Sequence, residues 1–92
     1  MGIQDTDRVD AATTRDGWTI LTIHHYESWT PVSLRETQLR QKLQTYERFL
    51  NSARYLMRFS ESPVRIELSC TEAPPEAIRQ ICKRWSVTIL EP

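Results

Sequence analysis

SLRETQLRQKLQTYERFLNSARYLMRF, residues 33–59, decides the fold. Its apolar side chains fall at Leu39, Leu43, Tyr46, Leu50, Ala53 and Met57, in steps of four and three that trace one stripe along a helix. No proline or glycine interrupts the stretch. Ser33 followed by Glu36 has the form of a capping box and marks a start. Asn51 and Ser52 compete for backbone hydrogen bonds and mark the expected break. The spacing therefore predicts a main helix over residues 33–51, then a continuation or a second helical piece to Phe59.

On the N-terminal side, Trp18–His25 (WTILTIHH) is rich in β-branched and aromatic residues with apolar groups on both faces, as in an interior strand. Asp16-Gly17 just before it is a two-residue hairpin signal. The preceding partner strand is expected over Val9–Thr14. Residues 1–8 are polar and acidic with one apolar side chain, and read as flexible. Tyr26–Val32 is a loop, with Pro31 steering Thr30 away from helical geometry.

On the C-terminal side, Val64, Ile66, Leu68 and Cys70 alternate with Arg65, Glu67 and Ser69, giving a strand with one dry and one wet face. Pro74-Pro75 opens a second helix, whose buried stripe is Ala77, Ile78, Ile81, Cys82 and Trp85. Val87–Leu90 is a final short strand. The order β-β-α-β-α-β implies an α+β two-layer sandwich: a mixed sheet with both helices on one face.

Ninety-two residues fit a single domain. Charge is balanced, 12 basic against 12 acidic residues, which argues against a dedicated nucleic-acid coat. Its distribution is uneven. Residues 33–59 hold six basic and two acidic residues, a net of +4, whereas residues 1–32 hold two basic and five acidic, a net of −3. No membrane span and no signal-peptide pattern is visible, so a cytoplasmic setting is expected. Cys70 and Cys82 are too few for a disulfide scaffold and read as buried, reduced fillers.

One resemblance runs through the first half of the chain. Asp5, Asp7, Val9 and Asp10, then Leu21–Ile23, then Trp29, then Leu39, Gln41, Lys42, Leu43, Tyr46, Phe49, Leu50 and Ser52 follow a recurring pattern. An acidic opening leads to an L-T-I-like strand, a tryptophan and a helix of the form L-Q-x-K-L-x-x-Y-x-x-F-I-x-S-G. Over residues 4–53 the chain resembles an uncharacterised bacterial family of small proteins, a domain of unknown function. The resemblance implies a bacterial cytoplasmic setting and a fold, and no activity. Ala53 stands where the pattern has glycine. His24 and His25 stand where it has an acidic residue.

Candidate chemistry is sparse. His24-His25-x-Glu27 has metal-ligand residue types, but neighbouring strand residues face opposite ways, and His25 with Glu27 makes only two ligands. Neither cysteine sits in a C-x-x-C pair or beside a base. Gly2 and Gly17 are too far apart to form a phosphate loop. No cofactor or metal is implied, and the expectation is a chain without catalytic activity. Tyr26 and Trp29, large aromatics in the loop before the helix, are candidate partner anchors, with Trp29 alternatively a lid over the core. Arg40, Arg48 and Arg54 on the basic helix complete the candidate partner-binding set. The leading expectation is a small protein-interaction domain, of an accessory or immunity type, binding a protein partner or a second copy of itself. The alternative is a nucleic-acid-binding module using the basic helix over residues 33–59.

Overall fold

A computed structural model of the chain describes residues 2–52 and 63–91. Strands β1 (Ala11–Arg15) and β2 (Trp18–His25) are followed by helix α1 (Val32–Leu50), strand β3 (Val64–Cys70), helix α2 (Glu76–Arg84) and strand β4 (Val87–Leu90). The sheet order is β1-β2-β3-β4, antiparallel between β1 and β2 and parallel thereafter. The expected α+β order and mixed sheet are present. Both crossovers advance in the same direction, so right-handed connections put α1 and α2 on one face. The two helices pack against each other and feed one core.

The β1–β2 connection is the Asp16-Gly17 turn, with both residues at positive φ, 54° and 82°. This is the conformation that makes Asp-Gly a hairpin signal. Register runs Arg15 opposite Trp18 to Ala11 opposite Thr22, so β1 begins two residues later than Val9. Strand alternation then divides the sheet. Leu21, Ile23 and His25 of β2, Leu68 and Cys70 of β3 and Val87 of β4 point to the helical side. They meet Leu39, Leu43 and Tyr46 of α1 and Ile78, Ile81 and Cys82 of α2.

Three expectations are corrected. Helix α1 starts at Val32, with Pro31 as its N-cap and no side-chain cap, and the Arg35 N–H donates to the Pro31 carbonyl. Starting one residue earlier puts Ser33 inside the first turn, where it cannot cap, and Glu36 pairs with Arg40 instead. Residues 2–8 are not a loose tail. Ile3 lies fully in the core, and the carbonyls of Asp5 and Thr6 accept from Lys42 Nζ and Thr45 Oγ1 of α1. A single apolar residue in a polar run suffices when a helix offers donors to the backbone around it. The wet face of β3 is also not uniformly wet, because Glu67 is only 5% exposed. Arg15 and Arg65 reach it at 3.5 and 4.0 Å.

The end of α1 follows the expected physics. Leu50 is its last residue; Asn51 Nδ2 donates to the Glu47 carbonyl, and Ser52 Oγ to the Phe49 carbonyl. Side chains thus satisfy carbonyls that the helix leaves open. The segment from Ala53 to Phe59, including any second helical piece, lies outside the described residues.

Candidate functional site

The densest polar constellation is interior. Lys42 Nζ donates to Asp10 Oδ1 at 2.6 Å and to the Asp5 carbonyl at 2.8 Å. Asp10 Oδ2 accepts the His24 N–H at 2.9 Å. The Asp10 N–H donates to Tyr46 Oη, which in turn donates to the Thr22 carbonyl at 2.6 Å. Each polar atom of this group therefore has a partner, the condition under which a buried charge pair is tolerated. Burial pushes the Tyr46 phenol well above its ordinary range, which keeps its proton in place as a donor. Lys42 and Asp10 side chains are both fully shielded from solvent. Residue types that resemble an acid–base group thus act here as a clasp, joining the N-terminal segment to β2 and α1.

This clasp changes the charge reading of α1. Lys42 faces inward, and so does Arg35, which donates to the Ser28 carbonyl, to Gln38 and to Glu27. Arg40 is exposed and lies 3.9 Å from Glu36. Arg48 is exposed and donates to Thr45 Oγ1 at 3.1 Å. Arg54 lies outside the described residues. The helix is basic by composition, but two of its cations are buried and paired within the chain, Lys42 with Asp10 and Arg35 with Glu27.

Trp29 sits in the core, 3% exposed, with its ring 4.0 Å from that of His25 and its indole N–H donating to the Glu72 carbonyl. It closes the top of the sandwich as a lid and is not presented at the surface. His25 Nε2 lies 3.2 Å from the Ser28 carbonyl, so the ring donates there and Nδ1 is left as a buried acceptor with no hydrogen-bond partner among the described residues. Burial holds this imidazole below its ordinary pKa. His24 points to the opposite face, as strand geometry requires, and stacks on Tyr26 at 5.4 Å. No group of three His, Cys, Asp or Glu side chains converges among the described residues. Cys70 and Cys82 are buried free thiols, and burial raises both, Cys82 to about 11.

The surface feature that does stand out is the sheet face away from the helices. Tyr26 is 57% exposed, Leu90 42% and Trp18 37%. Tyr26 lies with His24 and Ser69 at the C-terminal ends of the parallel strands, its Oη 3.3 Å from Ser69 Oγ. At the opposite end the Arg65 guanidinium covers the Trp18 ring at 4.8 Å. Ile20 and the Glu67 ion pairs lie between them. Tyr26 is among the residues expected at a partner contact and Trp18 is not, although strand alternation places Trp18 with Ile20, Thr22 and His24 on one face.

No described helix is long and apolar enough to cross a membrane. Comparison with models of protein families, with curated proteins and with solved structures found no match.

Proposed function

We propose that this chain is a small protein-interaction domain that meets its partner through the helix-free face of its sheet. The observation that carries the reading is the exposure of Trp18, Tyr26 and Leu90 on one face of a sheet whose other face packs the core through β2, β3 and β4. Aromatic residues and arginine, here Trp18, Tyr26, Arg15 and Arg65, are the side chains that protein interfaces favour. Tyr26 and Trp18 spend little conformational entropy on association, because the first stacks on His24 and the second lies under Arg65. The reading requires no catalytic group. It departs from a nucleic-acid module on the basic helix, because the inward turn of Arg35 and Lys42 removes half of the described cations on which that module depends.

Affinity capture from a bacterial lysate tests this. The wild-type chain is expected to retain a protein in stoichiometric amount, the Trp18→Ser/Tyr26→Ser variant to lose it, and the Arg40→Ala/Arg48→Ala variant to keep it. Equal capture by the wild-type and the Trp18/Tyr26 variant overturns the reading. So does tight, steeply salt-dependent binding of generic DNA or RNA that disappears in the arginine variant.

A further inference from the structure

We propose that two copies of this chain pair through their β1 edges in antiparallel register, extending the four-stranded sheet into one of eight strands. Strand β1 is the outer strand of the sheet. A two-residue turn makes Arg15 and Trp18 the pair that exchanges both hydrogen bonds, and the alternation that follows does the same for Thr13 with Ile20 and Ala11 with Thr22. Ala12 and Thr14 therefore point their N–H and C=O groups away from β2, and no partner for them exists among the described residues.

Free edges of this kind are normally blunted by proline, lysine or a bulge. Strand β1 has no proline, lysine or bulge, and its one charge, Arg15, sits at the turn end. It reads AATTR, its pairing with β2 is continuous, and Ala12 through Arg15 are exposed. The other edge differs: β4 has only four residues, and Glu91 just beyond it is tied to Arg79 of α2.

The helical layer also stops short of β1. Beside it lies an open groove of about 610 Å³, lined by Asp7, Val9, Ala12, Thr45, Arg48 and Phe49 among others. A second copy complements both features at once. Pairing centred on Thr13 sets Ala12 against the partner's Thr14, so that the outward groups of each satisfy those of the other. It sets Thr13 against the partner's Thr13, a favourable cross-strand contact. It also brings the partner's Asp16, exposed at the turn, opposite Asp10, whose charge Lys42 already neutralises, and alongside the groove, where Arg48 is the one cation among the described residues and Asp7 the other carboxylate. Arg48 has no carboxylate partner among the described residues. The two-fold axis makes each of these contacts twice, as an isologous interface requires.

The two surfaces adjoin at Arg15, but the edge contacts rest on Ala12–Thr14 and Arg48 whereas partner capture rests on Trp18 and Tyr26, so the two readings fail separately. Sedimentation equilibrium on the full chain at about 0.1–1 mM, where a small interface associates, is expected to give twice the monomer mass. Thr14→Pro removes one outward N–H without touching a β1–β2 hydrogen bond and is expected to give the monomer mass. Arg48→Glu is expected to weaken the dimer at least tenfold, and Arg48→Glu/Asp16→Arg to restore it, a rescue that a misfolded variant does not show. A monomer throughout the concentration range overturns the proposal. So does a dimer that persists in both Thr14→Pro and Arg48→Glu and dissociates in Trp18→Ser/Tyr26→Ser.

Discussion

Lys42 and Asp10 lie 32 residues apart in sequence and 2.6 Å apart in space, both without solvent contact. A buried pair of this kind is tolerated when neighbours complete its hydrogen bonds. The Asp5 carbonyl takes a second Lys42 proton, and the His24 N–H occupies the second Asp10 oxygen. Removing one partner strands the other. Lys42→Met is expected to cost about 3–5 kcal/mol, and Asp10→Ala a similar amount. The double variant Asp10→Ala/Lys42→Met is expected to cost clearly less than the two single losses together, since no charge is left unpaired. Urea unfolding followed by tryptophan fluorescence measures all three. Additive losses would show that the two charges are not coupled.

His25 makes stability depend on pH. Burial of the ring, the largest influence on it, depresses its pKa in the fold relative to the ordinary value of 6.5. As pH falls through about 6.5 the unfolded chain takes up a proton that the folded chain refuses, so ν_U exceeds ν_N and stability declines toward acid. The contribution is constant above that range and stops declining below the folded pKa. Urea midpoints measured from pH 7.5 down to pH 5 are expected to fall for the wild type and to fall less for His25→Phe. Identical slopes would place the acid sensitivity elsewhere.

Both thiols are shielded, and burial raises both above the ordinary range, so thiolate is scarce at neutral pH. A disulfide reagent added to the native chain at pH 7.5 is expected to modify neither Cys70 nor Cys82 on the timescale on which it modifies the chain in guanidinium. Prompt reaction of one thiol in the native state would reveal an opening at the α2–sheet boundary.

Local pattern carried the elements that depend on local physics. The period of two in Val64–Cys70, the Asp-Gly turn and the carbonyl-seeking Asn51 and Ser52 each act within a few residues, and each is found where the pattern put it. Lys42 was not legible in the same way. It lies on the arc between Leu39 and Tyr46, which is a hint of burial, but a lysine there reads as solvated until Asp10 is known to arrive beside it. The same holds for Ile3, whose core position depends on donors from α1. Arg48 and Tyr26 were identifiable as surface residues of α1 and its preceding loop. Trp18 was identifiable only as a member of one sheet face, because which face the helices cover is decided by crossover handedness and not by β2.

Trp29 separates a structural from a binding role. Its ring is 3% exposed and packs on His25, and its N–H holds the Glu72 carbonyl at 2.9 Å. Trp29→Ala empties a large volume and is expected to cost about 3–5 kcal/mol. Trp29→Phe keeps most of the burial and loses the hydrogen bond, for about 1 kcal/mol. Trp18→Ser, by contrast, removes a partly exposed ring and is expected to stay within about 1 kcal/mol of the wild type. Thermal or urea unfolding orders the three variants as Trp29→Ala, Trp29→Phe, Trp18→Ser from most to least damaged. Partner capture is expected to give a different order: intact in Trp29→Phe and reduced in Trp18→Ser. Loss of capture in a stably folded Trp29→Phe would mean that the indole N–H leaves Glu72 to meet the partner, and the lid would then be part of the contact surface.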